Sequence, residues 1–203
     1  YRADITVVPG TGSILGVAYY NGVCYAWRLT SMYKSTSAGW VAITLGKELS
    51  FSTGTAAIVD GNTVTGATSG ATGVVARVVL QSGTFASGNA AGRLILSSST
   101  GVFTSGENLT VAALVKAIAG GAATQITLTT GGRYETVIAN FGGGTANYKL
   151  YGCDGVNRAF EFDGTTFVPI ATGMTADTPN HIAFHKQHLF LTFGASVQFS
   201  GLG

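Results

Sequence analysis

Three histidines, His181, His185 and His188, lie close together and are the densest group of metal-type ligands in the chain. Side chains on a strand repeat every second residue, so His181 and His185 share a face. His188 follows an expected turn and can face back toward them. Zinc needs a third or fourth ligand in tetrahedral reach, and Asp177 is the only nearby carboxylate. These residues are therefore expected to be polar strand-end histidines without a metal. Cys24 and Cys153 permit one disulfide at most. Both sit beside turns at corresponding positions of repeated units, so they are expected to be unbonded thiols in a reducing compartment. Gly10-Thr11-Gly12 with Gly16 has the wrong spacing for a dinucleotide loop and no helix after it. Phe141-Gly142-Gly143-Gly144 lacks a phosphate-loop lysine. Glu161 and Asp163 are two apart and could face the same way, but Asp163 opens an Asp-Gly turn, which explains it. No serine sits in a nucleophile elbow, and neither cysteine has a histidine nearby in sequence. No catalytic residue, cofactor-binding residue or metal ligand is assigned, no cofactor is expected, and the chain is not expected to be an enzyme.

The composition points the same way. Charged residues make up 10% of 203 residues, against about 25% in average domains. Glycine contributes 30 residues, roughly twice its usual share. The 8 Tyr, 11 Phe and 2 Trp exclude a disordered chain. A free surface normally carries more charge than this, so the chain is expected to cover its surfaces with neighbours. A net charge of +2 with no Lys/Arg cluster excludes a nucleic-acid grip. No apolar run is long enough for a membrane span. The chain begins at Tyr1 without Met and ends at Gly201-Leu202-Gly203, and is expected to be a piece of a longer polypeptide.

The elements that must position these residues are strands. Short runs of Val, Ile, Tyr, Phe and Thr are closed by Gly, Asn-Gly or Asp-Gly. Ile14 to Tyr20, Asn21-Gly22 and Val23 to Leu29 form the strongest hairpin signal. Asp163-Gly164 stands in the same way between Ala159–Phe162 and Thr166–Ile170, and Asp60-Gly61 and Asp154-Gly155 are further turns. Residues 1–46 and 132–203 are rich in aromatics. Residues 47–131 hold only Phe51, Phe85 and Phe103. The shift marks an inserted small all-β module, a barrel or sandwich of five or six short strands, between two parts of one domain. Those parts repeat each other as strand, turn, aromatic strand, glycine turn, and then Trp40-Val41-Ala42-Ile43 or Phe167-Val168-Pro169-Ile170. A third unit begins at His181, turns near Lys186-Gln187 and continues to Phe193. The expected fold is all-β, with partial β-propeller blades and the inserted module.

Gly132-Arg133-Tyr134-Glu135, Asn140-Phe141, the stretch from Tyr151-Gly152 through Asp154-Gly155-Val156-Asn157-Arg158-Ala159-Phe160-Glu161-Phe162-Asp163-Gly164, His185-Lys186 with His188-Leu189-Phe190, and Ser200-Gly201-Leu202-Gly203 resemble tailed-phage and prophage virion proteins. Gly92-Arg93-Leu94 and Gly101-Val102-Phe103 with Gly106-Glu107 look like their intervening module. Within that class the chain resembles the propeller-bearing nozzle or tail-tube proteins of short-tailed phages. The resemblance implies a virion ring subunit, assembled in the host cytoplasm. Its partners would be other copies of itself, the adaptor and other tail proteins, with DNA passing through without specific binding. The alternative is a receptor-binding or capsid-decorating virion protein that binds host glycan. The lack of Trp and Tyr in the insert weakens sugar stacking there, and Tyr19, Tyr25, Trp27 and Trp40 alternate like core residues.

Overall fold

The computed structural model describes residues 6–141 and 147–201. It is all-β, with no α-helix among the described residues and no helix long and apolar enough to cross a membrane. The chain divides into two compact units, residues 1–43 with 127–203, and residues 44–126.

The first unit holds three antiparallel meanders. The first meander is β1 (Ile14–Tyr20), β2 (Val23–Arg28), β3 (Ser31–Thr36) and β4 (Gly39–Ala42), paired in that order. Tyr20 pairs with Val23 across Asn21-Gly22. Both turn residues have positive φ, 48° and 79°, the primed geometry whose twist matches the strands it joins. The second meander is β12 (Glu135–Ala139), β13 (Lys149–Cys153), β14 (Phe160–Phe162) and β15 (Phe167–Pro169), again in order. Its last hairpin differs from expectation. Phe162 pairs with Phe167, so the turn has four residues rather than Asp-Gly alone. Asp163 closes it by accepting the Thr165 and Thr166 amides at 2.9 and 2.8 Å, an Asx turn that replaces a tight primed one. The third meander is β16 (His181–His185), β17 (His188–Phe193) and β18 (Ser196–Phe199).

The meanders stack face to face in chain order. The inward face of the first presents Tyr25 and Trp27, both buried. Trp27 stacks on Tyr134 with ring centroids 4.8 Å apart, and Tyr25 meets Phe162 edge-on at 5.3 Å. The opposite face of the second meander packs Ala139, Tyr151 and Cys153 against Ile182, Leu189 and Leu191 of the third. Gly152 shows how tight the second meander is, since a Cβ there would stand 2.5 Å from the Phe160 ring. Only glycine lets that ring lie flat on the strand.

The second unit is built from β5 (Lys47–Gly54), β6 (Thr63–Gly66), β7 (Thr72–Ser82), β8 (Ala90–Thr100), β9 (Asn108–Val111), β10 (Leu114–Ala119) and β11 (Thr124–Gln125). Their order is β10-β9-β6-β7-β8-β5-β11, and β10 also pairs with β5. Six strands thus follow one another in a circuit, with β11 attached outside it along β5. Leu49, Phe51, Val64, Val75, Leu94, Leu96, Phe103 and Leu109 fill its centre. Phe103 comes from the segment between β8 and β9, and where one strand supplies two of these residues, as with Leu49 and Phe51 or Leu94 and Leu96, they are at alternate positions, as half-buried strands require. β7 lies in this sheet and not in that of β2.

Candidate functional site

The described residues place the candidate chemical groups in structural partnerships. His181 and His185 lie on the exposed side of β16, and His185 pairs across the hairpin with His188. His181 Nδ1 is 3.1 Å from both carboxylate oxygens of Glu135, and His188 Nδ1 is 2.6 Å from the Ser200 carbonyl. The expected turn at Lys186-Gln187 does bring the three histidines to one side of the hairpin. Asp177 is turned elsewhere, accepting from the Thr172 amide and hydroxyl. Among the described residues no group of three or more His, Cys, Asp or Glu is placed to hold a metal ion. Glu161 accepts from Lys149 Nζ at 2.6 Å and from the Tyr151 hydroxyl at 3.1 Å. Gly10 and Gly12 have positive φ, 101° and 81°, and the Gly12 carbonyl accepts from Arg28. Gly142 to Gly144 lie outside the described residues.

Both cysteines are free, Cys24 partly exposed on β2 and Cys153 buried on β13. Burial pushes the Cys153 thiol up to about 12, and the charges of Glu135 and Asp154 add to the rise. A thiol held that high is not a nucleophile at neutral pH. Tyr134 is raised well above the usual phenol range, first by burial and then by the Asp154 carboxylate. Asp154 itself accepts from the amides of Val156 and Asn157 and from Asn157 Nδ2, and Asn157 exchanges hydrogen bonds with the Thr129 backbone, which binds the turn after β13 to the residues before β12.

One group escaped the sequence reading. Glu107 is buried, 5% exposed. It accepts four hydrogen bonds, from the amides of Thr68, Ser69 and Thr104 and from the Ser69 hydroxyl, at 2.6 to 3.0 Å. Burial pushes its carboxyl up, but the donors win and hold it down at about 2. It ties the turn after β6 to the turn before β9. Its only sequence signal is an acid beside Gly106 in a stretch otherwise poor in charge.

Some apolar side chains are left exposed. On the outer face of the first meander, Val17 and Tyr19 are each 66% exposed. The register places Val17 beside Ala26 and Tyr33, and Tyr19 in the cross-strand row that ends at Trp40. This corrects the expectation that Tyr19 and Trp40 are core residues like Tyr25 and Trp27. The alternation is real, but it divides the aromatics between two faces, and Tyr19 is on the uncovered one. Trp40 is half-buried there, donating Nε1–H to the Thr6 carbonyl at 3.1 Å. On the outer face of the third meander, Val197 and Phe199 are 60% and 67% exposed. Phe199 clusters with Phe190 and His188 at 5.9 and 5.4 Å. Lone exposed apolar residues are ordinary, whereas grouped ones mark contact surfaces. Comparison with protein-family models, curated proteins and solved structures found no match.

Proposed function

We propose that the chain is a structural subunit of a tailed-phage tail, a nozzle or tail-tube ring protein through which DNA passes. Its three stacked meanders are read as blades of a β-propeller, and its six-strand circuit as a small β-barrel. The observation that most supports this is the repetition of one packing mode. Each four-stranded meander lays one face on the next in chain order, and both end sheets carry uncovered apolar side chains. Units of this kind bury their faces only against further units, and a head-to-tail contact that closes by rotation gives a ring. Weak charge also suits a channel wall that must not hold DNA, because each phosphate neutralised tightens binding. In this reading the chain performs no chemistry and takes no cofactor.

The exposed row from Tyr19 to Trp40 favours one alternative, a receptor-binding or capsid-decorating protein whose aromatic face stacks on host glycan. Sedimentation and electron microscopy of the purified protein separate the two. Rings, alone or on an adaptor ring, are expected. A persistent monomer that localises to the capsid surface and binds host glycan would replace the nozzle reading with the alternative.

A further inference from the structure

The strand circuit of the second unit repeats itself. β5, β6 and β7 recur as β8, β9 and β10 at one fixed spacing, which makes Leu49 the equivalent of Leu94, Gly61 of Gly106, Val64 of Leu109 and Thr65 of Thr110. The local hydrogen bonds repeat with the residues. The Gly61 amide donates to the Val75 carbonyl at 2.7 Å, and the Gly106 amide to the Ala119 carbonyl at 2.8 Å. The Val75 and Ala119 amides donate back to the carbonyls of Asn62 and Glu107 at 2.8 and 2.9 Å. Gly61 and Gly106 both have positive φ, 88° and 81°. β11 obeys the same scheme, because β10 and β11 lie in turn along β5 as the single long strand β7 lies along β8.

The pairings relate the two halves by a twofold axis. Leu49 pairs with Leu94 and Thr65 with Thr110, so at two places a residue stands opposite its own equivalent. That is the signature of a self-complementary, dyad-related contact. Leu49 and Val64 of one half and Leu94 and Leu109 of the other form one core, closed only when the halves meet. Beside the axis the equivalence breaks in one informative place. Glu48 and Arg93 are equivalents, and Arg93 donates to Glu48 at 2.5 Å, with Arg93 6% exposed. Two identical halves would set like charge against like charge here, which destabilises a sheet. The pair therefore selects an unlike half and rejects a like one.

We propose that the second unit is a duplicated three-strand half, and that the dyad contact marked by Glu48 and Arg93 also accepts the complementary half from a second copy of the chain. In the exchanged dimer, β5–β7 of each copy close on β8–β11 of the other, and every contact across the dyad recurs. Only the turn between β7 and β8 must open. That turn is held by Phe85 stacked on Phe51 at 5.9 Å and by the Thr84 amide donating to the Asn89 side chain at 3.0 Å. The closed monomer is therefore favoured in dilute solution, and exchange is favoured as copies are concentrated. Exchange of an identical element is a low-cost route to a dimer. The proposal rests on the register of the second unit and stands whether or not the chain forms a ring.

Two full-length variants test it. Glu48→Arg sets two guanidinium groups at the dyad, and Arg93→Glu sets two carboxylates. Each alone is expected to shift the folding equilibrium of the second unit about tenfold or more toward the unfolded form, read by denaturant unfolding. Refolded together, they are expected to form a one-to-one mixed dimer, since each exchanged circuit then holds one Glu and one Arg. Native mass spectrometry identifies it, because the mixed and like dimers differ in mass. A second pair, Leu49→Cys and Leu94→Cys, keeps both charges and carries the test if the charge variants aggregate. Refolded together and oxidised, these chains should form a disulfide between position 49 of one copy and position 94 of the other, a link that unexchanged cores cannot make. Charge variants as stable as the wild type, soluble variants that give no mixed dimer, or chains that never cross-link at 49 and 94 each overturn the proposal.

Discussion

Glu107 is worth more to the second unit than its single charge suggests, because three amides and a hydroxyl all aim donors at one carboxylate. A glutamine there would turn its own donors toward existing donors. Glu107→Gln is expected to destabilise the chain by about 1–3 kcal/mol, measured by denaturant unfolding. The pH dependence has a definite sign. The carboxyl titrates near 2 in the fold against an ordinary value of 4.5, so the ionised form favours folding. That contribution is complete above 4.5 and is lost as pH falls from there toward 2. The wild-type chain should lose stability in that window and the glutamine variant should lose less. The two thiols differ for an equally local reason. Ellman's reagent should label Cys24 in the native protein and Cys153 only after unfolding, since burial lifts the Cys153 thiol to about 12 and hides it. Rapid labelling of both would contradict the packing between the second and third meanders.

The strands separate what local sequence encodes from what it does not. Ile14 to Tyr20 and its Asn-Gly turn were legible because a two-residue primed turn needs φ > 0, and few residues tolerate it. The Lys186-Gln187 turn was legible in position, from the apolar runs on either side, but not in conformation. Both residues adopt positive φ, 46° and 63°, without a glycine between them. Such strain suggests a direct gain: Lys186→Asn with Gln187→Gly should raise stability by about 1 kcal/mol, read as a higher melting temperature. No change, or a loss, would mean the two long side chains contribute contacts that offset the strain. In the second unit, strands were legible as alternating runs, Val74 to Leu80 among them, but their partners were not. β5 pairs with β8 and with β10, and such distant pairings depend on packing that no short window contains. The histidines show the converse. Their proximity was legible, while the contact of His181 with Glu135 depends on how two separate strands lie side by side. Glu107 stayed hidden because three of its four donors come from a turn far from it in sequence.

At the scale of the whole molecule, aromatic content and strand pairing divide the chain in similar places. The aromatic-poor stretch was read as 47–131, and the compact second unit spans 44–126. The inner faces of the stacked meanders are closed by rings such as Trp27 and Phe160, while the outer faces hold Val17, Tyr19, Val197 and Phe199 open to water. The pairing of Lys47 with Gln125 at the base of the second unit has a further consequence. Paired antiparallel residues stand about 5 Å apart, so the chain leaves this unit almost where it enters it. To the flanking chain, the whole excursion is then equivalent to a tight loop. Loop length adds little entropic cost once the ends are fixed together, and modules with adjoining ends are the ones that evolution and engineering can graft. Replacing residues 47–125 by a short Gly-Ser turn should therefore leave the meanders folded, with the near-ultraviolet signal of the buried Trp27 retained. The excised segment is a cassette, one that could be exchanged, lengthened or removed without rebuilding what surrounds it.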